Sequence, residues 1–263
     1  MLLDGKAKMN NDNQEISVSI ITPIYNGERY IGETIESVLK QNYENWEILI
    51  IDDGSVDHSF EIAKNFEKSD ARIHVFHQEN KGSAAARNYG IRNAKGKIIA
   101  LLDADDIWEP DFLEKQVKFM KEKNASCAFC AYKKIDENSK EIFHPTRIMK
   151  EVRIKDMRVM NRIGCLTGLY DTTKYGKVYL HEDLKSLRDD YAYWYDVISR
   201  TGISYGNPEV LAKYRVMSGT TTGKKSKLIR VQYNFYRNYI HESRIEAVIN
   251  LIRWAIAGII KFS

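Results

Sequence analysis

The sequence contains no long apolar run, no glycine-rich loop behind its first apolar segment and only three cysteines. No segment reaches the roughly 20 apolar residues needed to span a bilayer. Residues 1–15 are polar and rich in Asn and Lys, with only Leu2 and Leu3 as an apolar start. They lack the apolar stretch of a secretion signal and predict a loose tail. Cys127, Cys130 and Cys165 are few and odd in number, which predicts a reducing, cytoplasmic setting rather than a disulfide framework. Cys127-x-x-Cys130 has no second Cys or His pair nearby to complete a zinc site, and the small residues around it read as a core strand. A net charge of +4 is too mild to call for nucleic acid as a partner. The missing G-x-G-x-x-G argues against a dinucleotide-dependent oxidoreductase, and no internal repeat or low-complexity linker divides the chain.

What is present is ordered. Hydrophobic residues at 43% and charged residues at 29% are globular values and argue against disorder. Ser17 to Tyr25 is a β-branched run that predicts a buried strand, and Asn26 after it is a candidate helix N-cap. Ile31, Ile35, Val38 and Leu39 then recur at helical spacing across residues 28–41. Strand-like runs at residues 47–51, 72–76 and 97–102 alternate with helical patterns carrying Ile62, Ala63 and Phe66, with an alanine-rich stretch at 83–94, and with a helix from Pro110 to about Lys123. Four strand–helix alternations with short links predict a mostly parallel central sheet flanked by helices. Beyond Ala125 the pattern loosens, with strand-like pieces at 127–135 and 209–216 around a helical stretch at 189–199. The predicted organisation is a tail over 1–15, one α/β domain over 16–223 and a basic, amphipathic helical extension over 224–263.

Ligands of open parallel sheets bind beyond the carboxyl ends of the strands. Those ends carry Thr22-Pro23-Ile24-Tyr25-Asn26, then Asp52-Asp53-Gly54-Ser55, then Asp103-Ala104-Asp105-Asp106. Five acids on one sheet edge repel one another unless a cation is present, and a hard divalent metal accounts for the grouping. Asp pairs are also common in turns and caps; for Asp52-Asp53 alone both explanations hold equally, whereas three acids in four positions after an apolar strand exceed what a cap needs. In Gly82 to Asn88, small residues open a helix and permit close approach of a ligand, with Arg87 placed to meet a phosphate or base. Tight packing of the helix explains Ala84 to Ala86 equally well but not Arg87.

Taken in order, Thr22-Pro23-x-Tyr25-Asn26, Asp52-Asp53-Gly54-Ser55, Gly82-x-x-x-Ala86-Arg87-Asn88 and Leu102-Asp103-Ala104-Asp105-Asp106 resemble the family-two inverting glycosyltransferases of the GT-A fold. The resemblance is close over residues 17–115 and looser to about 217. It implies that Thr22, Pro23 and Tyr25 line a nucleotide-base pocket, that Asp53 with Asp52 hydrogen-bonds the base, and that Arg87 lies beside it. It implies further that Asp103 faces the ribose, that Asp105 ligates Mg²⁺ or Mn²⁺ at the diphosphate, and that Asp106 assists. The family's acid-acid-aromatic motif with a downstream Trp matches Asp189-Asp190-Tyr191-Ala192-Tyr193-Trp194, which assigns the general base to Asp190; a favourable first-turn charge is the bland alternative. Arg215, Lys224 and Lys225 stand as phosphate contacts in a late strand and loop, while Met217 occupies a place where relatives often carry His and offers no metal ligand.

The implied partners are a nucleotide-sugar donor, with UDP as carrier, and a glycan or lipid-linked oligosaccharide acceptor of bacterial surface polysaccharide synthesis. The tail from Arg244 to Phe262 repeats Ile and Val at helical spacing beside basic residues, which leaves three occupants for its apolar face: an anionic membrane surface, the domain itself, or a second copy in a homodimer. The resemblance favours the cytosolic face of the inner membrane. Two other functions fit parts of the pattern. A metal-dependent nucleotidyltransferase needs a basic glycine-rich loop where Pro23 to Glu28 stands, and a non-catalytic sugar-nucleotide binding module has no use for Asp190.

Overall fold

The computed structural model describes residues 17–184, 188–217 and 225–262; the predicted tail over 1–15 and the loop positions 218–224, Lys224 among them, lie outside them. The chain runs β1 (Val18–Ile24), α1 (Ile31–Leu39), β2 (Trp46–Asp52), α2 (Ser59–Ser69), β3 (Ile73–His77), α3 (Ser83–Asn93), β4 (Ile98–Leu101), β5 (Ile107–Trp108) and α4 (Phe112–Lys123). It continues through β6 (Cys127–Ile135), β7 (Glu141–Ile142), β8 (Glu151–Val152), α5 (Ile154–Met157), β9 (Leu169–Asp171), α6 (Asp189–Thr201), β10 (Ser204–Arg215), α7 (Lys225–Asn234) and α8 (Arg244–Phe262). All described strands join one sheet in the order β3-β2-β1-β4-β9-β6-β10-β5, with β7 beside β6 and β8 beside β10. The strands β3, β2, β1 and β4 are mutually parallel, β9 is antiparallel to both its neighbours, and β6 and β10 are parallel to each other. The mostly parallel sheet flanked by helices is therefore as the sequence predicts.

The strands are apolar on both faces because helices cover both. Alternation sends Val18, Ile20, Ile48 and Ile50 into one core with Ile31, Ile35, Phe112 and Leu113, and sends Ile21, Leu49 and Ile51 into another with Ala84, Ile91, Tyr191 and Trp194. The alanines of α3 do pack tightly: a Cβ on Gly90 would sit 2.7 Å from side-chain carbons of both Ile21 and Ile51. Phe235, Tyr236 and Ala247 of the C-terminal segment belong to the second core, so this extension is packed behind α6.

Three local expectations change. Asn26 caps no helix: it adopts φ +51° and its side-chain oxygen accepts a hydrogen bond from the amide of Val56 at 2.9 Å, while α1 starts five residues later after Tyr30. Asparagine tolerates this left-handed conformation, which turns the chain at the strand end. The last long strand begins at Ser204 rather than Glu209, because Pro208, which lacks an amide donor, is absorbed where the pairing with β6 shifts register between Asn207 and Val210. The short β5, not foreseen, pairs with β10; its Trp108 stacks on Phe112 at 4.0 Å and donates its indole N–H to the carbonyl of Leu166. Cys127 and Cys130 are buried in β6 as core residues with free thiols, and burial pushes the Cys127 thiol up to about 12.

The helix α6 is held against the sheet by a contact that admits no extra carbon. A Cβ on Gly168 would lie 2.3 Å from the indole ring of Trp194. Gly168→Ala is expected to lower stability by about 1–3 kcal/mol, seen as an earlier midpoint in urea unfolding; an unchanged midpoint would show that α6 is free to shift.

Candidate functional site

The carboxyl ends of β1, β2 and β4 and the start of α3 enclose a cleft of about 560 Å³. Its walls include Pro23, Tyr25, Asp53, Ser83, Arg87, Asp103, Asp105 and Met217. The topology explains the meeting: β1 lies between β2 and β4, so the residues that leave these three strands emerge side by side. Tyr25 is 54% exposed, an aromatic face open to the cleft.

Two of the predicted residues point elsewhere. Thr22 and Asp52 are fully buried and absent from the cleft wall. Asp52 accepts hydrogen bonds from the ring Nδ1 of His77 at 2.7 Å and from the amide of Ser55, and so ties β2 to β3 and to the turn after it. Asp53, by contrast, reaches the wall with both oxygens engaged. One accepts from the Gln78 side chain at 2.7 Å and the Lys81 amide at 2.8 Å, the other from the Gly82 amide at 2.8 Å. Its carboxylate thereby fixes the loop that delivers α3.

Arg87 is the centre of the arrangement. It is 7% exposed and contacts the Asp103 carboxylate with one guanidinium nitrogen and that of Asp189 with the other, the latter at 3.1 Å. Burial works against its charge, but Asp103 and Asp189 outweigh it and raise its pKa. The Ser83 hydroxyl also donates to Asp189 at 3.2 Å. Beside Arg87, Asn88 is paired with Leu180 through both its amide oxygen and nitrogen and with the Glu182 side chain, which anchors the segment leading toward α6. Residues 102 positions apart in sequence, Arg87 and Asp189, thus become one charged unit.

Four carboxyls of the predicted site now separate by environment. Asp189 is the partner of Arg87. Asp190, half-buried, accepts a hydrogen bond from the Asn161 side chain at 3.0 Å; burial, helped by Asp189, pushes its pKa up to about 6. Asp105 lines the cleft, and burial together with the neighbouring Asp103 also pushes it up to about 6. Asp106 is fully buried beneath the cleft, where it accepts from the Arg215 amide at 2.9 Å, and burial with Asp105 and Asp103 raises it well above the usual range. An assisting role at the ligand does not fit that position.

Arg215 is likewise no phosphate contact. It is 2% exposed, and its guanidinium is used by the carbonyls of Asp105 and Asp136, the Ser139 hydroxyl and the Glu33 carboxylate, with the ring of Tyr30 at 4.4 Å. It buttresses the acidic turn from below. Asn161 was not foreseen, since it stands in the aperiodic stretch before β9 and nothing in its neighbours announces it.

Asp105 lines the cleft beside Asp103 and has no basic side chain paired to it among the described residues. A divalent cation fits there. No group of three His, Cys, Asp or Glu converges among the described residues, so such an ion would take Asp105, with Asp103 near, and complete its shell from ligand phosphates and water. That is the habit of Mg²⁺ and of ions like it at phosphate sites.

Comparison with known proteins agrees with this geometry. The family profile described as Glycosyl transferase family 2 matches residues 19–188. The chain is 35% identical over 221 residues, 84% of its length and 87% of the other's, to the putative teichuronic acid biosynthesis glycosyltransferase TuaG of Bacillus subtilis. It is 34% identical over 251 residues, 93% of its length and 94% of the other's, to the UDP-Glc:alpha-D-GlcNAc-diphosphoundecaprenol beta-1,3-glucosyltransferase WfgD of Escherichia coli. Among solved structures, residues 1–349 of S. aureus TarS in complex with UDP-GlcNAc superpose with a TM-score of 0.70 at 19% identity, over 91% of this chain and 72% of that one, a likeness of fold.

Breaking a buried ion pair by removing one partner costs about 3–5 kcal/mol, because the remaining charge stays buried. Arg87→Met is therefore expected to destabilise strongly, and Asp189→Asn in the same chain to recover part of the loss. Denaturant titration of the single and double variants checks this; strictly additive losses would mean that the two side chains are not coupled.

Proposed function

The chain belongs to glycosyl transferase family 2, and on that premise we propose that it moves a sugar, with inversion, from a UDP-sugar to a hydroxyl of a lipid-linked glycan during bacterial surface polysaccharide synthesis. The observation that carries this reading is the Arg87 bridge. It joins Asp103, on the side of the cleft built from β1, β2 and β4, to Asp189, the immediate neighbour of Asp190. Asp190 does not itself line the cleft, and the bridge through Asp189 supports reading it together with the nucleotide wall as one site. A non-catalytic module has no need of Asp190, and a nucleotidyltransferase would need a basic loop where Pro23 to Glu28 stands.

In this reading Pro23 and the exposed ring of Tyr25 form the nucleobase wall, with Thr22 and Asp52 supporting it from beneath and Asp53 holding the loop at 78–82. Asp103 receives the ribose while held by Arg87. Asp105 holds Mn²⁺ or Mg²⁺, and when bound that ion supplies charge to offset the departing diphosphate. Asp190 takes the proton of the acceptor hydroxyl as its oxygen bonds to the anomeric carbon and the bond from that carbon to the phosphate oxygen breaks. A carboxylate with pKa about 6 is a better proton acceptor than an ordinary one and remains ionised at neutral pH.

The C-terminal helix supports the peripheral, cytosolic-face location. Among the described residues no helix is long and apolar enough to cross a membrane. Ile245, Val248, Ile249, Ile252 and Ile256 of α8 all stand between 44% and 74% exposed, at spacings that put them on one side of the helix. Ala247 and Asn250, facing the protein, are buried. Residues 225–263 hold seven Lys or Arg against two Glu, so an apolar stripe lies in a basic surround. An anionic bilayer surface matches both properties.

Two experiments test these assignments. Asp105→Asn is expected to lose the metal-dependent thermal stabilisation by UDP-sugars, while Asp190→Asn keeps it and loses at least about 100-fold in transfer rate. Because the base must be ionised, and Asp105 is also pushed up to about 6, wild-type kcat/KM is expected to fall at least tenfold per pH unit below about pH 6 and to level off above it; transfer at the wild-type rate by Asp190→Asn would refute the base assignment. For the membrane contact, replacing Ile249, Ile252 and Ile256 by Asp is expected to abolish co-sedimentation with phosphatidylglycerol vesicles while leaving UDP binding intact. Undiminished sedimentation would exclude the stripe as the contact.

A further inference from the structure

Beside the apolar stripe of α1 runs a row of polar residues that are buried as deeply as the stripe itself. Thr34 is 0% exposed, Ser37 6% and Gln41 7%. Thr34 and Ser37 lie one turn apart on the helix, and Gln41 follows just past its end, donating back to the Ser37 carbonyl at 3.1 Å. Burying such groups is costly unless each finds a partner, and here the partners come from one short segment, residues 104–113. The Thr34 hydroxyl lies 2.9 Å from the carbonyl oxygens of both Ala104 and Asp106, with its one proton to share between them. The Ser37 hydroxyl accepts from the Trp108 amide at 3.3 Å and donates to the Thr34 carbonyl at 2.7 Å. The Gln41 side chain donates to the Glu109 carbonyl at 2.8 Å and accepts from the Leu113 amide at 2.9 Å.

The segment these residues grip begins with the acidic turn. That turn closes on a hydrogen bond from the Asp106 amide to the Asp103 carbonyl at 3.1 Å. The three carbonyls that follow are all engaged by buried side chains: those of Ala104 and Asp106 by Thr34, and that of Asp105 by Nε of Arg215 at 2.8 Å. Three successive peptide groups held in this way have little freedom to rotate, and the Cα–Cβ bond of Asp105 is fixed with them. A buried polar network whose members are satisfied specifies one arrangement of the chain. Here that arrangement sets where the Asp105 carboxylate stands in the cleft wall.

We infer that Thr34 is a positioning residue for the metal ligand Asp105, and that Ser37 and Gln41 keep the segment behind the turn in register with it. Thr34 is fully buried and does not line the cleft, so it acts through the carbonyls of the turn and not on the ion. The inference rests on the reading of Asp105 as the metal ligand and deepens it. It also gives α1 a second task. Ile31 and Ile35 join the core under the sheet, while the polar row beside them holds the height of the turn that carries the ligand.

The test titrates the full chain with Mn²⁺ in the presence of saturating UDP and counts the free ion by its EPR signal. Residues that orient a metal ligand are worth about 10- to 100-fold in affinity. Thr34→Val, which keeps the shape and removes the hydroxyl, is therefore expected to weaken Mn²⁺ binding at least about tenfold, and Thr34→Ser to stay within about threefold of wild type. Gln41→Met breaks three hydrogen bonds farther along the segment. It is expected to lower the midpoint of urea unfolding more than Thr34→Val does, yet to weaken Mn²⁺ less than about threefold. A merely structural role would rank the variants by their loss of stability and make Gln41→Met the weaker binder. That ranking, or wild-type Mn²⁺ affinity in Thr34→Val, would overturn the inference and leave Asp105 as the ligand. Absence of Mn²⁺ binding by the wild-type protein with UDP would instead remove the metal reading of Asp105, and the positioning role with it.

Discussion

A guanidinium buried as deeply as that of Arg87 is stable only where carboxylates meet it, and the two that do come from opposite parts of the chain. Asp103 follows the fourth strand of the sheet, and Asp189 opens a helix that begins more than eighty residues later. Their common debt to one positive charge fixes the distance between the strand ends and that helix. Several other features serve the same end. Asp53 ties down the loop before α3, Asn88 grips the segment before α6, and Gly168 lets Trp194 lie flat on the sheet. Each sets a boundary on where Arg87 and Asp189 can stand.

From that constraint follows a division of labour among the acids. Asp189 and Asp103 share the single positive charge of Arg87, which offsets part of the charge of each. Asp190 and Asp105 are left without such a partner, and burial raises both to about 6. One of these suits a proton acceptor and the other a metal. Asp106, raised further and sealed beneath the cleft, braces the turn with Arg215. Five neighbouring aspartates of one type thus acquire four environments, and the chemistry depends on the environment rather than on the residue name.

The first half of the fold was legible because each strand is an uninterrupted apolar run and each helix repeats Ile or Ala at its own period. The ends of those strands also carried their acids in plain view. Which acid reaches the cleft is not written in the alternation: Asp52 shares the parity of Ile48 and Ile50, and Asp53 that of Leu49 and Ile51, and both sets are core. What could not be read depends on contacts between distant segments. β5 and β9 are two and three residues long and exist only because β10, β4 and β6 offer them edges. Arg215 looks like a phosphate ligand in sequence, yet Glu33, Asp136 and Ser139 claim it from elsewhere. Asn161 reaches Asp190 across 29 residues of irregular chain, and no local period encodes such a meeting.

The proposed function requires a single displacement at the anomeric carbon, with Asp190 on the face opposite the leaving diphosphate. Water can stand in for the acceptor, so the slow hydrolysis of an α-configured UDP-sugar by the enzyme with Mn²⁺, followed by proton NMR within the time of mutarotation, reads the geometry directly. The first sugar released is expected to be the β anomer, identified by its anomeric coupling constant. Release of the α anomer first would contradict a single displacement, because it requires either two displacements or attack from the side of the leaving group.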